Sequence, residues 1–329
     1  LVNLQVSKTD PMTSFRWLAL GLCLLTGTLN AQQLSLFTQY RENATILNPA
    51  AMESDFLAYG QNMTLGATYR SQWNGISGNP RTQAVRFSFL GDGSGASLLG
   101  GGYLMNDQTG PTGFTGIYAR FGAVISGDPE YSGLAIALSG GLVQYRVNAD
   151  EITLRDPNDV LGTASQTELF PDIGAGIYFY QMLNGSRDGD MFYAGLSVPQ
   201  VAGIDLAFKN DNGEFAIQRV RHYYAMAGLY KFFRNDGFLE PSLWVKYVEG
   251  APINADVNLR YQTPNSIWIG TGVSTAGNFH FEVGFNLGDN VGLDTNIKIG
   301  YGYDYSFSSF GPTAGNTHEL QVAYSFDRQ

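Results

Sequence analysis

The chain has 329 residues and a formal net charge of −10; only 15% of its residues are charged, while 13% are aromatic. That is well below the roughly 25% charge of soluble domains, and the negative balance argues against nucleic acid as a partner. No run of about 18 apolar residues follows the first thirty positions, which excludes helical membrane spans and leaves strands as the only way into a bilayer.

The N-terminus reads as an export signal that begins at Met12, with Arg16 as its positive region, Trp17 to Thr26 as its apolar region and Leu29-Asn30-Ala31 as a cleavage site. Residues 1–31 are then an upstream extension and a cleaved signal peptide. Cys23, the single cysteine, lies between Leu22 and Leu24 without the small residues of a lipoprotein cleavage box. It leaves with the signal, so the mature chain is expected to lack disulfides. Residues 32–61 show weak periodicity, and they are too long and too apolar to be left loose. They are expected to form a periplasmic or plug segment at or in the periplasmic mouth of a barrel made from residues 62–329.

From residue 62 onward the pattern has a period of two, the signature of strands. Phe279, Phe281, Val283, Phe285 and Leu287 alternate with His280, Glu282, Gly284 and Asn286; Leu293 to Tyr305 continues the pattern and ends its apolar face on Tyr301, Tyr303 and Tyr305. Fourteen such segments are predicted, near residues 62–71, 81–90, 97–106, 112–125, 131–146, 172–182, 190–199, 221–233, 238–248, 254–263, 266–275, 278–287, 291–305 and 317–326. Most have the length a tilted strand needs to cross a bilayer. Their second face carries Gly, Asn, Ser and scattered charges instead of the Lys and Glu of a soluble sandwich. The fold class is therefore all-β: a transmembrane outer-membrane β-barrel of about 14 antiparallel strands.

Connections alternate in length. Gly91–Ala96, Ser126–Glu130, Leu183–Gly189, Arg234–Gly237, Pro264-Asn265 and Gly288–Asn290 are compact, whereas Gln72–Pro80, Val147–Pro171, Gln200–Val220 and Ser306–Asn316 are long. Short turns on the periplasmic side and long loops outside imply periplasmic N- and C-termini for a protein of the cell outer membrane.

Residues that carry chemistry are sparse. His280 lies on the polar face near Glu282 and is read as part of a lumen hydrogen-bond network; with His318 it is the only basis for a catalytic reading. No nucleophile elbow, zinc spacing or phosphate loop is present, so no enzyme activity, cofactor or metal is expected. Asn210 to Glu214 and Asp156 to Asp159 offer oxygen ligands but lack calcium-loop spacing, and such runs form turns first. Gly270, Gly272, Gly284, Gly300 and Gly302 share one face of the late strands and make room for a channel, for a chain segment, or simply for curvature. Trp73 is read either as a partner anchor or as an interface-belt residue.

Gln39-Tyr40, Asn43, Ile46-Leu47-Asn48-Pro49-Ala50, Tyr69-Arg70-Ser71-Gln72-Trp73-Asn74-Gly75-Ile76 and Gly78-Asn79-Pro80-Arg81-Thr82-Gln83 resemble the opening signature of the PorP/SprF family of outer-membrane proteins. Arg221-His222-Tyr223-Tyr224, Gly300-Tyr301-Gly302-Tyr303-Asp304-Tyr305 and His318-Glu319 extend the resemblance through the mature chain. Arg41-Glu42 depart from it, standing where relatives usually have apolar residues. The resemblance implies a role in the type IX secretion system of Bacteroidetes, without enzyme activity. Its implied partners are outer-membrane lipid and a secreted adhesin or other cargo, bound through a C-terminal domain, or alternatively periplasmic lipoproteins and motor subunits. A passive or ligand-specific channel is the reading from another class. Gln39, Tyr40, Asn43, Asn48, Pro49, Arg70, Gln72, Trp73, Arg221, His222, Asp304, His318 and Glu319 are the interaction residues the resemblance points to.

Overall fold

A computed structural model describes residues 37–148, 166–183, 189–201, 206–210, 213–217, 220–308 and 311–327. The expected signal peptide and the run Asp156 to Asp159 lie outside these residues.

The alternating segments close into one barrel whose fourteen strands all pair antiparallel. They are β1 (Met63–Ser71), β2 (Arg81–Leu90), β3 (Ala96–Thr109), β4 (Thr112–Ile125), β5 (Ser132–Val147), β6 (Gln166–Met182), β7 (Met191–Val198), β10 (His222–Phe232), β11 (Phe238–Val248), β12 (Asn254–Gln262), β13 (Ile267–Ser274), β14 (Asn278–Leu287), β15 (Asn296–Ser306) and β16 (Thr317–Phe326). Closure joins β1 to β16 from Met63↔Phe326 to Ser71↔His318, so no sheet edge is left unpaired in the hydrocarbon region.

The wall is inverted relative to a soluble protein. On β16, Glu319 is 0% exposed while its neighbour Leu320 is 53% exposed. Leu, Ile and Val cover the outside between two aromatic girdles. Tyr69, Tyr223, Tyr247, Phe279 and Tyr305 face outward near the long-loop mouth, and Phe179, Phe233, Phe285 and Tyr324 near the other. This is the banding expected where a barrel meets both interfaces of a bilayer.

The connections differ from expectation in four places, one being the β14–β15 connection, which runs over residues 288–295 so that β15 starts at Asn296 instead of near residue 291. β5 and β6 run on to Val147 and back from Gln166, shortening the loop expected over Val147–Pro171. The β3–β4 connection, on the long-loop side, is only Gly110-Pro111. The stretch expected to be loop between β7 and β10 contains a hairpin, β8 (Leu206–Asn210) and β9 (Gly213–Ile217). Asn210 pairs with Gly213, so both ends of the Asn210–Glu214 run lie in these two strands. The rim is consequently uneven. β3 to β6 have 14, 14, 16 and 17 residues, against 8 in β7 and 8 in β13.

Residues 37–61 occupy the lumen, and every residue from Phe37 to Leu57 is buried. Two short helices, α1 (Ala44–Leu47) and α2 (Ser54–Tyr59), shape the segment. Gly60 ends α2 in a left-handed conformation (φ 76°), its N–H returned to Asp55 and Phe56 carbonyls. Thr38 lies beside Arg70 and Asp304, near the long-loop ends of β1 and β15. Asp55 accepts a hydrogen bond from Ser325 near the short-turn end of β16, 2.5 Å away. Tyr59 meets Phe238 at the start of β11. Of the alternatives expected for residues 32–61, a periplasmic or a plug segment at or in the short-turn mouth, the described residues lie in the lumen and extend from one mouth to the other, where charges at both heights find partners in them.

Inward glycines make that filling possible. A side chain on Gly176 or Gly195 would run into Asn48, one on Gly300 into Gln39, and one on Gly302 into Thr38. Of the alternatives left open by the glycine pattern, a chain segment takes the space at these positions. Gly176→Leu is expected to lower stability by about 1–3 kcal/mol, the usual cost of overpacking. The check is a reduced urea midpoint at unchanged slope. Gly140→Ala, where an added Cβ meets nothing within 4 Å, leaves the midpoint in place.

Candidate functional site

The lumen has two chemically distinct walls. From β6 to β11 the inward residues are largely aromatic: Tyr178, Tyr180, Tyr193, Tyr224, Tyr230 and Trp244 are all buried. Ile46, Leu47, Met52, Phe56 and Leu57 of the inner segment join that cluster, with Phe56 edge-on to Tyr180 at 5.7 Å. From β12 through β16 to β2 the wall is charged, and the polar side chains of the same segment face it.

Near the long-loop mouth, Glu319 accepts the backbone N–H groups of Thr38 (2.7 Å) and Gln39 (2.9 Å) and pairs with Arg70 at 3.1 Å. Arg70 also reaches Asp304 at 2.6 Å, and Thr38 Oγ1 donates to the same carboxylate at 3.0 Å. The band continues around the wall: His280 Nδ1 lies 2.9 Å from Asp304, its Nε2 3.8 Å from Asp256, and Lys246 pairs with Asp256 at 2.5 Å. His280 is thus one member of a lumen polar network.

Deeper in the barrel, Arg41 sits between Glu240 (3.4 Å) and Glu282, to which it also donates a hydrogen bond. Arg260 bridges Glu240 (2.8 Å) and Glu42 (2.6 Å); Lys298 pairs with Glu42 (3.3 Å) and Asp55 (2.6 Å). Tyr40 donates to Ser242 at 2.7 Å and stacks on Trp244 with ring centroids 5.1 Å apart. Toward the short-turn mouth Arg86 meets Glu53 at 3.4 Å. Arg120 donates to the carbonyls of Pro49 (2.9 Å) and Ala51 (2.8 Å).

Asn48 and Asn43 act as backbone-like pins. Asn48 Nδ2 donates to Ile177 O at 3.0 Å while its Oδ1 accepts the Ala50 N–H at 2.9 Å. Asn43 accepts from Thr68 at 2.8 Å and donates to Gln39 O at 3.2 Å. Each satisfies polar groups that are buried in the lumen.

Of the residues singled out in the sequence, Gln39, Tyr40, Asn43, Asn48, Pro49, Arg70, Asp304 and Glu319 converge on this interface. Gln72 and Trp73 belong to the β1–β2 loop. Trp73 adopts a left-handed φ of 52°, and the next residues donate N–H groups to the β15–β16 loop, Asn74 to Asn316 O and Gly75 to Ala314 O. Arg221 is exposed at the long-loop rim, and His222 is buried at the start of β10 with Nδ1 2.9 Å from Val220 O. His318 faces outward, 2.6 Å from the Tyr301 hydroxyl, on the opposite side of the wall from His280.

In the sequence Arg41 and Glu42 stand only as departures from the family signature, Glu282 only as a neighbour of His280, and Glu53, Asp55, Arg86, Arg120, Glu240, Arg260 and Lys298 are not among the candidate residues. A usable signal existed for the wall members among these, since a charge on the face opposite a lipid-facing strand face points into the lumen, where water or a chain segment has to meet it.

Fold and lumen together define a plugged outer-membrane β-barrel. The chain belongs to the PorP/SprF family of type IX secretion system membrane proteins, whose family model matches residues 29–324. No curated protein matches the chain. Among solved structures it is similar to the CymD monoaromatic hydrocarbon channel, with 11% identity and a TM-score of 0.54 over 89% of this chain and 94% of that one. It is also similar to a TodX deltaS2S3 mutant monoaromatic hydrocarbon channel, with 10% identity and a TM-score of 0.50 over 87% and 94%. At these identities the likeness is one of fold.

Removing one member of a buried ion pair strands its partner and costs about 3–5 kcal/mol. Glu42→Ala is expected to lose at most that much, because Arg260 keeps Glu240 and Lys298 keeps Asp55 as partners, and to expose Arg41 to trypsin. Intact midpoint and protection in the variant would show the pairs to be dispensable.

Proposed function

We propose that this barrel is a non-enzymatic docking component of type IX secretion that binds a cognate secreted adhesin, through that protein's C-terminal domain, and supports its export and attachment at the cell surface. The observation that carries this reading is the lumen, filled by residues 37–59 and held by ion pairs at several heights. A barrel so filled serves better as a rigid platform than as a conduit. With the short turns placed in the periplasm, the face available to a secreted partner is the long-loop face. The tall β3–β6 rim and the β8–β9 hairpin supply it with surface, including Leu169 at 61% exposure. Loops on a rigid scaffold are the usual location for such recognition.

A second reading, coupling to periplasmic lipoproteins or motor subunits, draws on the charge of the short-turn face. Asp92, Asp128, Glu130, Asp236, Asp289, Asp294 and Asp327 are exposed there. Among the described residues Lys231 and Arg234 are the exposed bases at that end, and Lys231 is already paired with Asp190 at 2.6 Å. Such a face suits a basic partner. Catalysis gains no support from the histidines, since His280 and His318 lie on opposite sides of the wall.

Deletion of the gene and profiling of secreted and surface proteins separates the readings. Loss confined to one adhesin is expected; loss of all type IX cargo moves the protein into the shared machine. Replacing residues 206–217 with a short Gly-Ser turn should release the adhesin into the medium while barrel abundance is unchanged, and full retention would remove this hairpin from the docking surface. The purified barrel should show no stable open conductance in planar bilayers.

A further inference from the structure

Strand register sorts the ionic side chains by sign. Every carboxylate on the fourteen barrel strands stands on the lumen side, from Asp107 on β3 and Asp172 on β6 to Asp304 on β15 and Glu319 on β16. The lipid-side faces of the same strands carry Lys231, Arg81 and Arg146, all basic. Lys231 lies at the short-turn end and is paired with Asp190. Arg81 and Arg146 lie at the long-loop end, both exposed, and neither joins an ion pair among the described residues.

Their surroundings are graded from apolar to cationic. Going toward the long-loop mouth, the outward residues of β2 read Val85, Gln83, Arg81, and those of β5 read Leu142, Gln144, Arg146. Strand pairing carries Arg81 through Gln108 on β3 and Gly113 on β4 to Arg146, so these four positions form one row. Three inter-strand steps set the two arginines about 14 Å apart, and Gly113 adds no side chain between them. In the row below, Thr115 donates to Asn106 at 2.9 Å on the same exposed face.

We propose that this outward row of β2–β5 binds the phosphate headgroup of an anionic membrane lipid, in the leaflet on the long-loop side, with the acyl chains lying on the apolar band beneath. A guanidinium fork matches phosphate oxygens two at a time, and a long cationic side chain at the end of an apolar face reaches the headgroup level of a bilayer. The amide and hydroxyl row between suits the ester and glycerol oxygens that lie between phosphate and hydrocarbon. Continuity with the lipid-facing band selects a lipid over a soluble acidic protein. Whatever occupies the row also lies against Val85, Leu104, Ile117 and Leu142, which are 48–58% exposed. The assignment holds whichever compartment the long-loop mouth faces, and it is independent of the cargo reading.

The test uses the whole barrel in vesicles of phosphatidylcholine with a minor fraction of phosphatidylglycerol. Photoreactive benzoylphenylalanine replaces Gln108, between the two arginines, and the lipids it captures are identified by mass. Captured lipid is expected to be enriched in phosphatidylglycerol over its share of the vesicle. Arg81→Gln and Arg146→Gln should each lower that enrichment about fivefold, the worth of one basic side chain beside an anionic lipid surface. Lysine at both positions should restore most of it, and Lys231→Gln should leave it unchanged. A heat-dependent shift in gel mobility, kept by every variant, establishes that the barrels compared are folded. Enrichment that survives loss of both arginines, or that falls equally with Lys231→Gln, overturns the inference. Loss of the captured lipid in excess inorganic phosphate would assign the row to a soluble anion instead. Capture of a protein in place of lipid by the same photoreactive residue in whole cells would give it to a protein partner.

Discussion

A charge pointing into a lumen that a chain segment fills is cut off from bulk water, so it must be neutralised by the segment that fills it. The rest of this structure depends on that constraint. Arg260, Lys298 and Glu240 on the wall are matched by Glu42, Asp55 and Arg41 of the inner segment, and neither set is tolerable without the other. The pairs therefore act chiefly as a register. They fix which residue of the segment lies at which height, while burial of Phe56, Leu57 and Met52 against the tyrosine wall supplies the non-directional part of the attraction.

The division of the lumen into an aromatic wall and a charged wall explains why one segment satisfies both. Residues 37–59 carry apolar and ionic side chains on opposite flanks, and the two short helices rotate those flanks into place. Chain and barrel are complementary in the way the two sides of an interface are, except that both belong to one polypeptide. The surface outside the lumen follows a separate logic. Lipid contact sets the band between the girdles, and the loops above β3–β6 are released from it.

The wall was legible because a period of two survives every local variation: the fourteen segments read from alternation are the fourteen strands found, with ends displaced by a few residues. Strand ends above the membrane were not legible, since β5 and β6 continue into a region where neither face has to be apolar. The hairpin at β8–β9 was hidden for the same reason. Eight of the thirteen candidate site residues meet at the lumen interface, yet the pair that tie its centre, Arg41 and Glu42, look anomalous in sequence. Their partners Glu240, Glu282, Arg260 and Lys298 are some two hundred or more residues away, and nothing local marks them as partners. The direction of the inner segment was equally hidden, because it follows from those distant contacts.

The inner segment also spans the seam at which the barrel closes. Thr68 on β1 holds Asn43, and Ser325 on β16 holds Asp55, while the two strands themselves meet across a separation of 261 residues at Thr64 and Ser325. Joining such distant ends carries a large loop-closure entropy. A segment synthesised just before β1 and already docked beside it presents part of the binding surface for β16 before that strand arrives. The element that blocks the finished lumen is thereby placed to act earlier as a mandrel, around which the last strand finds the first.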